Sequence, residues 1–557
     1  MKPALPEALA PLLIAASITL VYNMPLWQAL WNLQPSASGA LLIANVGLTL
    51  TALLTIVLQL FNTRWLLKPI TIVLLLAAAL ASYAIGNQGV LIDRDMARNI
   101  LETDATEIQG YVSGAFALHL LLFWLLPSAV LLSIRITRNG TWATFRRALA
   151  NTAGILGIAL VAIAINAKSV LLMAREHREL RYYMVPTYPV YAFSLYFSDR
   201  AQQPAGPVRQ IAPDAHRQRD NAPRRPLVMV LVVGETARSM SFALNGYARA
   251  TNPALLRQPV VSFTQVSSCG TATAISLPCM FSAHGRSSFD VDDAEHEENV
   301  LDLLQRVGVN VRWFDNNSGC KGVCTRIFNA SLSSGAGEPP CPTTGCFDAV
   351  LVHALSSALH GPTQNALHSS TSQHDQLIVL HTRGSHGPDY ANRVPPQFKH
   401  FLPECRARDV ASCPRPQIIN AYDNTIVYTD HILATLIADL QAQSERFDSV
   451  LLYVSDHGES LGEKGVYLHG FPYRIAPREQ TQVPMILWAS DGFYARQRVT
   501  LACLASRRHQ PLSHDSVLHT LLAVFDVQTV LYERRLDLFA ACRSGGDPGQ
   551  HLRRQEG

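Results

Sequence analysis

The chain has 557 residues and a mass of 61.2 kDa, with 46 basic and 42 acidic residues and a net charge of +4. Only 16 of those charges fall in residues 1–174, about one residue in eleven, against about one in five beyond. So uneven a distribution excludes a single cytosolic globular body and points to two different solvents. The small basic excess is not gathered into a patch, which excludes nucleic acid as the partner.

In chain order, five apolar runs come first, at 8–28, 39–61, 69–90, 113–134 and 151–174. Each is near or above the roughly 20 residues that an α-helix needs to cross a bilayer. Arg64 and Lys68 mark one short connection, and Arg135, Arg138, Arg146 and Arg147 mark another; both are expected on the cytoplasmic side. The loop 91–112 between them has a net charge of −3 and is expected to face outward, as is everything after the fifth span. The N-terminus is then cytoplasmic, and the first run is a span rather than a cleaved signal.

All ten cysteines lie beyond residue 268, on the side where disulfides persist. Spacing suggests Cys269/Cys279, Cys320/Cys324, Cys341/Cys346 and Cys405/Cys413, leaving Cys503 and Cys542 to pair across a longer loop, although spacing does not fix connectivity. Tight thiolate doublets with histidines at finger spacing are missing, which counts against a structural zinc site.

Residues 175–226 form a transition that ends in a Pro-, Gln- and Arg-rich stretch, expected as a linker or surface strap. From Leu227 the pattern becomes short apolar runs with polar ends: LVMVLVV before Gly234 and Glu235, LIVL before His381, and VLLYV before Ser455, Asp456 and His457. Runs of this kind predict strands buried on both faces. Helical patterns alternate with them at Asn299–Val307, Tyr422–Leu440 and Asp515–Phe525, which predicts an α/β domain with a largely parallel sheet. The tail 544–557 is polar.

Ligands collect beyond the carboxyl ends of parallel strands, which singles out Glu235, His386, Asp456 and His457. Carboxylate oxygen and imidazole nitrogen suit a catalytic zinc with an open position, whereas any one such residue alone is more often a cap. The segment SSCGTATAISLPCMFS follows an extended stretch and opens an apolar helix-compatible run. Thr271 is the hydroxyl expected to be activated there, beside a metal and a helix N-terminus. On composition alone Thr271 reads rather as a helix cap, since Ser267, Ser268, Thr273 and Ser276 offer the same group.

The segments VVGETARS, SCGTATAISLPCMFS, DNNSGCKGVC, GSHGP, YDNTIVYTD, SDHGESLGE and YLHGFPY, in this order, resemble the phosphoethanolamine transferases of Gram-negative inner membranes, within the alkaline phosphatase superfamily. Among its branches the chain is most similar to the lipid A enzymes, which include the mobile colistin-resistance proteins. The resemblance implies an α-helical membrane domain of five spans at 1–174, a connecting helix and linker at 175–226, and a periplasmic catalytic α/β domain of alkaline phosphatase or sulfatase type at 227–543. It implies Zn2+ held by Glu235, Thr271, Asp456 and His457, with Thr271 as nucleophile, and a second zinc where His386 and His469 hold one. Asn317, Lys321, His386 and His469 match positions that contact phosphoethanolamine, Glu459 lies near the same centre, and Asn99, Thr103 and Glu107 match a stretch reaching from the membrane domain.

The activity so implied is transfer of phosphoethanolamine from phosphatidylethanolamine to a lipid A phosphate through a phospho-threonine, with release of diacylglycerol. His386 or His469 is expected to protonate the departing alkoxide. The product carries less negative charge, which favours polymyxin resistance. Two related readings compete: a phosphoglycerol transferase, against which the cysteines and DNNSGCKGVC count, and a sulfatase or phosphodiesterase with water as acceptor. A third, a lipid-binding receptor without turnover, leaves a threonine beside a metal unexplained.

Overall fold

The computed structural model describes residues 4–103, 111–137, 141–165, 167–202, 206–218, 224–332, 341, 345–360 and 374–543. They group into two units: Met1–Leu101, Tyr111–Ala201 and Lys464–Tyr467 in one, and Glu102–Gly110, Gln202–Glu463 and Leu468–Gly557 in the other.

The first unit is helical. Among the described residues, three helices are long and apolar enough to cross a membrane: Ala37–Leu60, Leu67–Gln88 and Gly114–Ser133. Leu20, Val73 and Leu132 are more than half exposed on this unit, which water would penalise and hydrocarbon would not. The first expected span is a bent pair, Ala10–Tyr22 and Met24–Leu33, at 61°. Pro25 lacks the N–H that would continue the helix across the bend. The buried side chain of Asn23 fills the gap, donating to the carbonyls of Thr19 at 3.1 Å and Val185 at 2.8 Å and accepting the Val185 N–H at 2.8 Å. Counting the pair as one span gives four. The fifth expected run falls on the helices Thr141–Ile165 and Ala167–Glu176.

The second unit is built on an eight-stranded sheet, counted among the described residues. Its strands are β1 Leu227–Gly234, β2 Val261–Ser267, β3 Asn310–Asp315, β4 Phe328–Ser331, β5 Gln376–His381, β6 Asp448–Ser455, β7 Gln482–Ala489 and β8 Leu512–Ser513. Their spatial order is β8-β2-β7-β6-β1-β5-β3-β4. Every residue of β1, β5 and β6 is buried, as their unbroken apolar runs require of central strands covered on both faces. β1 runs parallel to both β5 and β6, and only β7 runs against its neighbours. The helix Val300–Arg306 opens with a capping box in which Asn299 and Asp302 satisfy each other's backbone N–H groups.

The transition after 175 differs from a bare surface strap. It carries the helix Thr187–Gln202, and Ile211 is buried in the apolar core of the α/β unit. All ten cysteines are paired: Cys269–Cys279, Cys320–Cys324, Cys341–Cys346, Cys405–Cys413 and Cys503–Cys542.

Candidate active site

Parallel register sets Gly234, the last residue of β1, beside Ser455, the last of β6. The next residues, Glu235 and Asp456, therefore leave the sheet side by side, and the Asp456 N–H donates to the Gly234 carbonyl at 2.9 Å. A side chain at Gly234 would overlap the Tyr453 ring, so the two strands approach as closely as they do only with glycine there. Glu235, Asp456 and His457 bring ligand atoms within 4.8 Å of one another, in a group that is buried throughout.

These donors fit a divalent cation. Asp456 Oδ1 accepts the backbone N–H groups of Thr236 at 3.1 Å and His457 at 2.7 Å, while its buried Oδ2 has no hydrogen-bond partner among the described residues. His457 Nδ1 donates to the Gly458 carbonyl at 3.0 Å, which leaves the Nε2 lone pair 3.5 Å from Glu235 Oε1 and 3.4 Å from Asp456 Oδ2. Lone pair facing two carboxylates is repulsive unless a positive charge stands between them. Burial and the neighbouring Asp456 push the Glu235 carboxyl up to about 7, and burial pushes Asp456 up to about 6. Burial and His469 hold His457 down to about 4, so its imidazole is neutral and free to ligate.

The hydroxyl at this centre belongs to Thr273. Its Oγ1 lies 3.1 and 3.3 Å from the two Glu235 oxygens and 3.3 Å from His457 Nε2. Thr271, expected there, donates instead to the Phe471 carbonyl at 2.6 Å. The nucleophile and fourth-ligand roles assigned to Thr271 are corrected accordingly. The helix starts at Thr273, after Ala272 in extended conformation, and it is the hydroxyl on the first helical residue that meets the strand ends. A Cβ at Gly270 would come within 2.9 Å of the Ser276 nitrogen, which shows how tightly the loop folds back on its helix.

The other expected residues are placed as follows. Asn317 Nδ2 donates to Glu235 Oε2 at 2.6 Å, and Lys321, at φ 47°, donates to the Ser318 carbonyl at 3.3 Å. The rings of His386 and His469 have centroids 4.8 Å apart, and those of His457 and His469 4.6 Å. His469 Nδ1 bonds Glu459 Oε2 at 2.8 Å, and Glu459 Oε1 accepts the Tyr390 hydroxyl at 2.6 Å. Burial raises Glu459 to about 8 and holds His386 well below the ordinary histidine range. Asn99 lies on the helix Arg94–Glu102 and Thr103 follows it, whereas Glu107 is outside the described residues.

One residue absent from the expected set is His381, the last of β5. Its Nδ1 donates to Asp315 Oδ2 at 2.9 Å, and its Nε2 lies 3.2 Å from Asn317 Nδ2, so it orients the amide that holds Glu235. The available signal was its position at the end of LIVL, where it reads as a strand terminator.

Residues 50–201 match the model described as "Phosphoethanolamine transferase EptA/EptB", and residues 228–527 match the sulfatase model. The phosphoethanolamine transferase EptA of Escherichia coli K12 is 37% identical, over 97% of this chain and 98% of that protein. The chain belongs to the phosphoethanolamine transferase family. Phosphatidylethanolamine transferase Mcr-1 of E. coli is a further relative, 34% identical over 94% of this chain and 96% of that one. Among solved structures, the integral membrane lipooligosaccharide phosphoethanolamine transferase A from Neisseria meningitidis superposes with a TM-score of 0.91 at 31% identity, covering 98% of this chain and all of that one. As a family member the chain combines an apolar helical unit, which makes it an integral membrane protein, with a soluble domain of sulfatase type.

Proposed function

We propose that the chain transfers phosphoethanolamine from phosphatidylethanolamine to a phosphate of lipid A, through a phosphoryl group carried on Thr273. The observation that supports this most directly is the Thr273 hydroxyl set against Glu235 and His457 beside the buried Asp456 carboxylate. Glu235, Asp456 and His457, with Thr273 as fourth donor, would hold a zinc ion, and His386 and His469 a second. Zinc bound there supplies a charge that favours the ionised threonine and offsets the negative oxygens of the phosphodiester.

The chain's own residues do the rest. Thr273, at the N-terminal end of a nine-residue helix, attacks where the helix field favours an anionic phosphoryl group. Asn317 holds the Glu235 carboxylate in place, and Asn317 and Lys321 contact the phosphoethanolamine group. His386, neutral and buried, or His469 takes up the proton that the Thr273 hydroxyl gives up and passes it to the departing diacylglycerol oxygen. The lipid A phosphate then takes the group from Thr273. Asn99, Thr103 and Glu107 are proposed as further substrate contacts.

Five spans, residues 1–174, are proposed for the inner membrane, with a connecting segment at 175–226 and a periplasmic catalytic domain at 227–543. The pairing of Ala4–Pro6 with Arg135–Thr137, next to the basic residues expected on the cytoplasmic side, supports a cytoplasmic N-terminus. Lys68, at the start of one span, bonds the carbonyls of Leu132 and Ile134 at the end of another, in keeping with one shared basic side.

The test is mass spectrometry of lipid A from cells expressing the intact chain and its Thr273→Ala variant. Added phosphoethanolamine in the first and none in the second is expected; unmodified lipid A in both would reject the reading. Release of headgroup from phosphatidylethanolamine without any lipid acceptor would favour a hydrolase.

A further inference from the structure

His514 is wholly buried and carries no part of the metal, nucleophile or substrate contacts above. It follows β8, which pairs in parallel with β2, and its own N–H donates to the Ser267 carbonyl at 3.1 Å. Its ring spans two places that the reaction must keep in register. Nε2 donates to the carbonyl of Ser455, the residue before Asp456, at 2.9 Å. Nδ1 accepts the N–H of Cys269, four residues before Thr273, at 3.1 Å. One nitrogen donates and the other accepts, so a single neutral tautomer satisfies both contacts.

Other contacts on this loop leave its distance from β6 open. The Ser268 N–H donates to the Thr481 carbonyl at 2.8 Å, Tyr473 Oη donates to the Ser268 carbonyl at 2.8 Å, and Arg286 donates to the Cys269 carbonyl at 2.7 Å. None of these partners lies on β6. The Ser276 hydroxyl, in the first turn of the Thr273 helix, does reach the Asp456 carbonyl, and it stands 3.3 Å from His514 Nδ1. Imidazole and hydroxyl together tie the loop and the helix start to the strand end that carries Asp456 and His457.

We propose that His514 is a positioning residue for group transfer: by clamping the Cys269 amide to the Ser455 carbonyl, it fixes the distance between the Thr273 hydroxyl and the Asp456–His457 pair. This role rests on the reading of Thr273 as nucleophile. Three of the four cation donors and the substrate contact Asn317 do not depend on the clamp, because His514 hydrogen-bonds neither the side chains of Glu235, Asp456 and His457 nor Asn317. Loss of the clamp therefore affects the chemical step more than binding.

The experiment uses the full-length protein in detergent micelles with phosphatidylethanolamine and lipid A, and measures kcat, KM for phosphatidylethanolamine, bound zinc and the thermal midpoint. His514→Ala is expected to lower kcat about 100-fold, the scale of a 1 Å misplacement, with KM and zinc content little changed. His514→Asn sets an amide oxygen near the Nδ1 position, where it accepts the Cys269 N–H, and should regain about tenfold of that loss. His514→Gln reaches the Nε2 position instead and should regain none. Unaltered kcat in the alanine variant, zinc loss that matches its rate loss, or equal rates for the Asn and Gln variants would each overturn the role. If the alanine variant does not fold, the Asn and Gln pair decides alone. An inactive wild type would overturn the transfer reading and this role with it, whereas an active wild type with unaffected variants would overturn only the role of His514.

Discussion

Thr273 Oγ1 stands 3.1 Å from Oε2 of Glu235, beside the buried group that Glu235 forms with Asp456 and His457. Thr273→Ala is expected to abolish transfer while leaving zinc on the other three ligands. Thr271→Ala removes a bond to the Phe471 carbonyl, should cost about 1 kcal/mol of stability, and should keep most of the activity. Assay of the two purified variants separates them; activity that vanishes in Thr271→Ala and persists in Thr273→Ala would return the nucleophile to Thr271.

Metal and protons compete for the same carboxylates. Removal of Glu235 or Asp456 by alanine should lower the zinc that copurifies, read by elemental mass spectrometry, and unchanged content in both would reject these ligands. In chelated protein the Glu235 carboxyl is raised from 4.5 to about 7. A raised acid contributes stability that is fully present below its unfolded value and is lost as pH rises through the folded one. The thermal midpoint of chelated wild type should therefore fall, relative to that of Glu235→Gln, between pH 4.5 and 7. His457, held down to about 4, acts in the opposite sense as pH falls below its ordinary 6.5, so the difference between the two proteins is the informative quantity. Zinc added at neutral pH should raise the wild-type midpoint; parallel curves and no response to zinc would count against the site.

Central strands were legible because burial on both faces leaves an unbroken apolar signature, as in Leu227–Val233 and Val450–Val454. The residues just past them, Glu235, Asp456 and His457, were legible for the same reason: register in a parallel sheet brings strand ends together without further information. The choice between Thr271 and Thr273 was not, since it depends on where the helix begins and on how the Gly270 loop folds back, and the Thr271 hydroxyl is drawn away by Phe471, 200 residues further along the chain. The bend at Asn23 was marked by Pro25, but the partner that makes it tolerable, Val185, is 162 residues away. The antiparallel β7 and the imidazoles of His381 and His514 carried no signal of their own, because a histidine that holds a backbone or an amide looks the same in sequence as one that caps a strand.

His381 gives a third prediction. It accepts the Asn317 amide on Nε2 and is itself fixed by Asp315, to which its Nδ1 donates. A partner that orients a metal ligand typically contributes about 10- to 100-fold in metal affinity or activity. His381→Ala should therefore weaken zinc in a chelator competition by that order, and Asn317→Ala should do the same. Wild-type affinity in both variants would show that Glu235 needs no such support.

The Cys269–Cys279 bridge closes a loop of sequence separation 10 around the start of the Thr273 helix. In the chain-entropy account a loop of this size is worth about 2–3 kcal/mol, through the states it removes from the unfolded chain. The bridge also limits how far Gly270 and Ala272 can drift from the helix that carries Thr273. Replacing both cysteines by alanine should therefore lower stability by about that amount, as read by denaturant unfolding. It should also reduce kcat beyond what the stability loss explains at temperatures where the variant is still folded. The Cys503–Cys542 pair, which closes a longer loop with sequence separation 39, is the matched control. Its removal should cost slightly more stability by the same account and leave the rate of the folded enzyme unchanged. Equal rate losses in the two double variants would show that the first bridge acts only through stability.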